Sequence, residues 1–281
     1  MKQLTKIDEI QSYVNDKRNG GCSIGFVPTM GALHPGHLSL VAQSTHENAI
    51  TIVSIFVNPT QFNNSEDLKK YPRTIEKDLE MLSETGCDVV FVPTVEEIYS
   101  KDFEPILVDL GLIGSTLEGH FRPGHFDGVV AVVQRLFSIV APDNAYFGRK
   151  DFQQVAVIRR MVEALHSSVQ IHEGSTIRET SGLAMSSRNL RLSEEEKNQA
   201  TLIYKVLTEM QEKAKNQAPL DVNNWGKQAF NAGPLELEYL EIVHPKTFEI
   251  LTTEWVAGAT ACVVAYCGEV RLLDNLEMIP R

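Results

Sequence analysis

The chain predicts an α/β fold: a doubly wound parallel sheet over residues 1–175, followed by a smaller α+β domain over residues 176–281. Three observations point there. Short, continuous apolar runs rich in β-branched residues alternate with segments of helical periodicity as far as about residue 175, the rhythm of strands covered on both faces. Beyond Arg178 that rhythm gives way to a long helical pattern and then to alternating segments. A length of 281 residues, 43% hydrophobic and 22% charged, supplies ample core for two modest units.

Taken in order, Ser23 to Val27 is short and apolar enough for an inner strand, and Leu38, Leu40, Val41 and Ala42 open an amphipathic helix directly after it. Ile50 to Val57 is a second strand and ends in Asn58-Pro59-Thr60-Gln61-Phe62. Ile75, Leu79 and Leu82 mark a helix within Thr74–Thr85, closed by Gly86, and Asp88 to Val92 returns to strand. Thr94 with Glu97 reads as a capping box for a further short helix. Gly128 to Val140 presents Val129, Val132, Val133, Leu136, Phe137 and Val140 on one face and predicts a deeply packed helix. Asn144–Phe147, Asp151–His166 and Val169–Glu173 then predict strand, helix and strand.

In the second unit, Ser193 and Glu196 form a capping box, Ile203, Leu207 and Met210 mark a long helix, and Lys213–Asn224 reads only as polar. Leu235, Leu237 and Tyr239, Ala261–Tyr266 and Arg271–Leu273 suggest a small antiparallel sheet.

Composition excludes several classes of function. A formal net charge of −11 disfavours a nucleic-acid partner, because lysines and arginines neutralising phosphates supply most of that affinity. No apolar run reaches a membrane span, and the N-terminal Met1–Lys6 stretch lacks a signal core, so neither membrane nor export is expected. Cys22, Cys87, Cys262 and Cys267 form no Cys-x-x-Cys pair, which fits a reduced, cytoplasmic setting.

Three stretches carry chemistry. In Met30-Gly31-Ala32-Leu33-His34-Pro35-Gly36-His37, two histidines flank a glycine at a predicted strand-to-helix turn. There backbone N–H groups and the helix dipole favour an anion, and imidazoles can hydrogen-bond phosphate oxygens and bring positive charge. Gly148-Arg149-Lys150-Asp151-Phe152-Gln153-Gln154 repeats the arrangement, with Lys150 able to neutralise phosphate and Asp151 and Gln154 offering polar groups on a first helical turn. Met185-Ser186-Ser187-Arg188-Asn189 follows Gly182 and offers hydroxyls and a guanidinium for a lid over a triphosphate.

These stretches, with Phe56-Val57-Asn58-Pro59, Gln61-Phe62, Tyr71-Pro72-Arg73-Thr74 and Arg122-Pro123-Gly124-His125-Phe126, resemble the pantothenate synthetase (pantoate–β-alanine ligase) family of the nucleotidylyltransferase superfamily, over essentially the whole chain. The resemblance implies a Rossmann-like sheet of nucleotidylyltransferase type and a two-step ligation: the pantoate carboxylate attacks the α-phosphate of ATP, pyrophosphate leaves, and β-alanine displaces AMP from pantoyl adenylate. On matching motifs it implies that His34, His37, Lys150, Ser186 and Arg188 are catalytic, with His37 the proton donor. Residues Met30 to His37 (Gly31, Ala32, Leu33, Pro35 and Gly36 included), Gly148, Arg149, Lys150, Asp151, Ile177 and Met185 to Arg188 (Ser187 included) would line the ATP site.

Gln61 and Gln154 would bind pantoate, Gln61 also β-alanine, with Asn58 and Arg122 orienting these groups. Mg²⁺ would arrive with ATP, held by phosphate oxygens rather than by protein ligands, with Asp78 a candidate outer contact. A homodimer is implied as well. Pro35, Arg149 and Thr180-Ser181 depart from the family's usual residues. Two rival readings are an adenylyltransferase that leaves AMP on its product, and a zinc module built on His34, His37, His120 and His125.

Overall fold

The computed structural model describes residues 1–100 and 103–278. The strands are β1 (Lys2–Leu4), β2 (Ile24–Thr29), β3 (Ile50–Ile55), β4 (Val89–Phe91), β5 (Asn144–Gly148), β6 (Gln170–Gly174), β7 (Glu236–Val243), β8 (Thr260–Cys267) and β9 (Val270–Glu277). The helices are α1 (Ile7–Asn19), α2 (Pro35–Glu47), α3 (Ser65–Lys70), α4 (Ile75–Ser83), α5 (Val95–Ile98), α6 (Leu112–Ser115), α7 (Glu118–Phe121), α8 (His125–Val140), α9 (Phe152–Ala164), α10 (Glu194–Ala200), α11 (Leu202–Ala214) and α12 (Pro219–Asn231).

Six strands form one sheet in the order β1-β4-β3-β2-β5-β6, and every pairing in it is parallel. The continuous apolar runs have the cause the sequence suggested. All six residues of β3 are buried, because helices cover both faces of the sheet. α8 is the most buried helix of this layer, with Phe126, Val129, Val133, Leu136, Phe137 and Val140 in the core beside Phe26, Ile52 and Ile158. From β2 the chain steps outward through β3 to β4 on one side, whereas β5 and β6 extend the sheet on the other. The crevice above β2 and β5 is therefore the topological switch point, where ligands of such sheets bind at the carboxyl ends of the strands.

The second sheet is antiparallel, β7-β8-β9, with a bulge between Leu237 and Tyr239. Its core joins Leu240, Ile242, Val263 and Leu272 to Ile203, Leu207 and Met210 of α11.

Several elements escape the sequence reading, the short helices α3, α6 and α7 among them. β1 and α1 are present although the pattern predicts no element before Ser23; α1 buries just Ile10 and Val14 on a charged helix. The polar stretch read over Lys213–Asn224 contains the start of α12, whose Pro219 stands in the first turn and whose Val222, Gly226 and Phe230 form a stripe at a spacing of four. A stripe that narrow is hard to tell from a polar loop. The Thr94 cap is half of the expected box: Thr94 accepts from the Glu97 N–H, but the Glu97 carboxylate accepts from the Ile7 N–H at 2.8 Å and so serves α1 instead. The Ser193–Glu196 box forms in full.

Candidate active site

The first histidine stretch lies where β2 meets α2. Gly31 and Ala32 both take left-handed backbone, φ +79° and +49°. A side chain on Gly31 would press within 3.0 Å of Asp78 and Ile55. For Ala32 the conformation is unfavourable by about 1–2 kcal/mol, and a buried carboxylate holds it: Asp78 accepts from the Ala32 N–H at 2.9 Å, the Leu33 N–H at 2.8 Å and the Thr74 hydroxyl at 3.1 Å. Asp78 is only 1% exposed and its oxygens are engaged by the turn, which corrects its standing as an outer contact for Mg²⁺. The backbone donors of this turn thus already have a protein anion.

The start of α2 is capped by its own imidazoles. Nδ1 of His34 accepts from the Gly36 N–H at 3.2 Å, and Nδ1 of His37 accepts from the His34 N–H at 3.3 Å. A backbone N–H can only donate, so each ring carries its proton on Nε2. The two rings lie 4.0 Å apart. Withdrawal from water, with Lys150 beside it, lowers the pKa of His34 to about 4; the same withdrawal, with His34 and Lys150 as neighbours, lowers that of His37 to about 3. Both are neutral N–H donors at neutral pH. The expectation that they bring positive charge is corrected on this point.

The second stretch follows β5. Because β5 pairs directly with β2, through Gly25 opposite Asn144 and Phe26 opposite Ala145, the Lys150 turn stands next to the histidine turn. The side chain of Asn275, on β9, holds this turn by donating to the main-chain oxygens of Arg149 and Lys150 at 2.9 and 2.8 Å. Arg149 itself does not line the cleft. Its guanidinium pairs with Glu173 at 3.3 Å and Glu277 at 2.6 Å, so the departure at this position ties β6 to β9.

The third stretch is placed by a hairpin whose Arg178 and Ala184 form a bridge and whose Met185 N–H donates to the Ile177 carbonyl at 2.9 Å. Arg178 grips Asp274 of β9 through two bonds of 2.6 and 3.1 Å and lies 4.0 Å over the Tyr204 ring. Thr180 and Ser181 occupy the exposed tip, away from the cleft. Ser186 caps the following turn by accepting from the Arg188 N–H at 3.2 Å. Arg188 donates to Asp67 of α3 at 2.7 Å and Arg191 to the same carboxylate at 3.0 Å. Burial opposes that carboxylate's charge, yet the two arginines prevail and hold its pKa below the usual range.

One cleft collects these groups at the carboxyl end of the sheet. Met30, His34, Gly36, His37, Gly148, Lys150, Asp151, Ile177, Met185, Ser186, Ser187 and Arg188 line it, together with Gln61 and Gln154. Gly31, Ala32, Leu33, Pro35 and Arg149, also expected at the nucleotide, do not: the first three are buried behind the turn, and Pro35 is an exposed first-turn residue of α2. Asn58 fixes Gln61 by donating to its Oε1 at 3.1 Å and to the Gly128 carbonyl at 3.1 Å. That last contact needs a glycine, since a Cβ on Gly128 would fall 2.5 Å from the Thr60 oxygen.

Sequence reasoning assigned no role to Tyr71, whose hydroxyl meets Ser187 at 3.1 Å, or to the apolar wall of Val129, Val132 and Val133. The wall had a signal, the helical stripe, but a stripe by itself reads only as core. No group of three histidines, cysteines or carboxylates suited to a metal occurs among the described residues, and no helix among them is long and apolar enough to cross a membrane. The zinc reading also lacks support at His125, whose Nδ1 is taken by the Gln61 carbonyl at 2.8 Å.

A parallel sheet with an apolar-walled cleft at its switch point, rimmed by neutral imidazoles and cationic side chains, defines an α/β enzyme that takes a small anionic ligand. Known proteins narrow this. The family profile described as pantoate-beta-alanine ligase matches residues 2–277. The pantothenate synthetase of Cytophaga hutchinsonii is 46% identical over 284 residues, covering 99% of this chain and 100% of that protein. The crystal structure of the Thermus thermophilus pantothenate synthetase superposes with a TM-score of 0.94 at 42% identity, covering 100% of both chains. The Francisella tularensis ligase, solved in complex with beta-gamma ATP and beta-alanine, superposes with a TM-score of 0.81 at 35% identity, covering 99% of this chain and 98% of that one. The chain belongs to the pantoate–β-alanine ligase family, ligases that join pantoate to β-alanine to form pantothenate.

Proposed function

We propose that this ligation runs through a pantoyl adenylate in the cleft above β2 and β5, with release of pyrophosphate and then AMP. The observation that carries the reading is the convergence of three distant stretches on that cleft, with two Nε2–H donors, Lys150 and Arg188 facing one space. In the first step a pantoate oxygen bonds to the α-phosphorus of ATP and the bond to the bridging oxygen breaks. Charge accumulates on the phosphate oxygens and on departing pyrophosphate, so positioning and electrostatics carry the catalysis. His34 and His37 donate to these oxygens as neutral groups, while Lys150 and Arg188 supply the positive charge. Phosphate negative charge beside His37 raises its proton affinity, which suits it to hydrogen-bond the departing group.

Gln61 and Gln154 bind the hydroxyl and carboxylate oxygens of pantoate, and Val129 and Val133 receive its two methyl groups; all four line the cleft. Gln61 also meets β-alanine, whose amine displaces AMP from the activated carbonyl. A carboxylate must be activated in this way because its oxide is a poor leaving group. Mg²⁺ enters as the ATP complex, held chiefly by phosphate oxygens, which agrees with Asp78 being occupied by the turn. Residues 176–281 act as the lid domain.

A homodimer belongs to the same reading, supported by exposed Ile106, Leu107, Leu112 and Phe121 along one stretch. The test of the pathway is pyrophosphate release from protein, ATP, Mg²⁺ and pantoate without β-alanine, with AMP freed only when β-alanine is added. Pyrophosphate release that strictly requires β-alanine, or AMP that stays on the product, would refute it.

A further inference from the structure

We propose that Glu118 is a positioning residue for this ligation: through Arg122 and His125 it fixes the main-chain carbonyl of Gln61, and through Arg271 and Tyr239 it makes that position depend on the C-terminal sheet. The proposal rests on the reading of Gln61 as a pantoate-binding residue.

Glu118 is only 7% exposed, yet its carboxylate has four donors on two oxygens. Oε1 accepts from Arg271 at 2.6 Å and from the Tyr239 hydroxyl at 2.9 Å; Oε2 accepts from Arg271 at 2.8 Å and from Arg122 at 3.3 Å. Tyr239 lies on β7 and Arg271 on β9, so two of the three partners belong to the second sheet. Glu238 of β7 holds Arg271 from its other side. The two guanidiniums are thus balanced by two carboxylates inside the protein.

From Glu118 the chain of contacts runs to the cleft. Arg122 donates to the Gln61 carbonyl at 3.3 Å and meets Nε2 of His125 at 3.1 Å. Nδ1 of His125 lies 2.8 Å from the same carbonyl. A carbonyl only accepts, so His125 carries its proton on Nδ1, and its Nε2 accepts from Arg122. One oxygen of Gln61 is therefore clamped by two side chains whose orientation Glu118 sets. Its side chain is steadied separately by Asn58.

The backbone of Glu118 is tied to the residue that precedes Gln154. Its N–H donates to Gln153 Oε1 at 3.0 Å, and the Gln153 amide donates to the carbonyls of Ile113 and Thr116, both at 2.8 Å. Gln153 directly precedes Gln154 on α9, but this contact uses the Glu118 main chain and is independent of its carboxylate, which acts on Gln61 alone. Replacing the carboxylate by an amide would turn an NH₂ toward a guanidinium, and a buried network left partly satisfied loses its geometry.

The experiment is steady-state kinetics of the full-length protein with each substrate varied. Glu118→Gln should raise KM for pantoate about tenfold while KM for ATP stays within about twofold, a split expected of a distant group coupled to one subsite. Gln61→Ala should raise KM for pantoate too, and Gln61→Ala with Glu118→Gln should do no more harm than Gln61→Ala alone, because both act through one group. A folded Glu118→Gln protein with unchanged KM for pantoate, with both KM values raised alike, or with effects that multiply those of Gln61→Ala would overturn the proposal.

Should Glu118→Gln fail to fold, Tyr239→Phe and Arg271→Lys weaken the same carboxylate from the other side. They should raise KM for pantoate selectively but less, and an unselective change in both would equally overturn the idea. If Gln61→Ala leaves KM for pantoate unaltered, the reading of Gln61 fails by itself and the proposal falls with it; a selective effect of Gln61→Ala without one from Glu118→Gln refutes the relay alone.

Discussion

The two turns that present hydrogen-bond donors and cations to the cleft are held in opposite ways. The histidine turn is secured by a carboxylate that is 1% exposed and by the imidazoles' own Nδ1 atoms, so its geometry is set before any ligand arrives. The arginine turn is secured by Asp67, a half-buried carboxylate on the short helix α3, which engages the very guanidinium assigned to the triphosphate. One arrangement is built into the sheet, whereas the other rests on an ion pair with a short helix outside it. The difference is instructive: a buried carboxylate with several donors fixes geometry, while a partly hydrated ion pair contributes little stability and exchanges readily.

The comparison can be broken most forcefully at the groups facing the cleft. His37→Ala and Lys150→Ala should slow adenylate formation on the order of 10²-fold or more with the fold intact; single-turnover pyrophosphate release alongside circular dichroism measures both. Near wild-type turnover in either variant would remove that residue from the assignment. Next in size is Asp78→Asn, which should destabilise the protein by about 3 kcal/mol, since an amide cannot accept from both the Ala32 and Leu33 N–H groups as the carboxylate does. Urea unfolding reads this, and a loss below about 1 kcal/mol would deny that the turn depends on that carboxylate.

The pH dependence sharpens the same contrast. His34, His37 and His125 have their pKa values lowered to about 4, 3 and 4 in the folded chain. Between about pH 6.5 and 4 the unfolded chain therefore binds protons that the folded one refuses, and their contribution to stability, complete above pH 6.5, is lost as the pH falls. The urea midpoint should drop over this window, and His37→Gln should flatten the drop; a slope untouched by that change would mean His37 is not held neutral. The smallest effect belongs to the arginine turn. Asp67→Asn should lower KM for ATP a few-fold by freeing Arg188, consistent with a weak pair worth about 1 kcal/mol or less. A raised KM for ATP would show instead that Asp67 holds Arg188 in its working position.

Much of the fold was legible because parallel strands buried on both faces announce themselves as apolar runs. β2, β3, β5 and β6 lie within a residue or two of where Ser23–Val27, Ile50–Val57, Asn144–Phe147 and Val169–Glu173 put them. α1 and α12 were illegible because each buries only a narrow stripe, and a stripe of two or three residues is indistinguishable from chance in a polar segment. In the cleft, lining residues were readable wherever a motif held them, as with His34, His37, Lys150 and Arg188. Glu118 was not: nothing local distinguishes a buried, four-fold bonded carboxylate from a solvated one, and Arg271, Tyr239 and Arg122 reach it from other elements.

By itself the sequence determined the inner strands of the sheet, the family, and the residue types available to bind phosphate and acid, because periodicity and motifs are local properties of the chain. Only the tertiary structure decided which of those groups face the cleft, which ring nitrogen carries each histidine's proton, and that Arg149 and Asp78 are committed elsewhere. Those outcomes depend on burial and on partners tens to more than a hundred residues away in sequence, such as Glu277 for Arg149 and the Ala32 and Leu33 amides for Asp78. No local pattern encodes them.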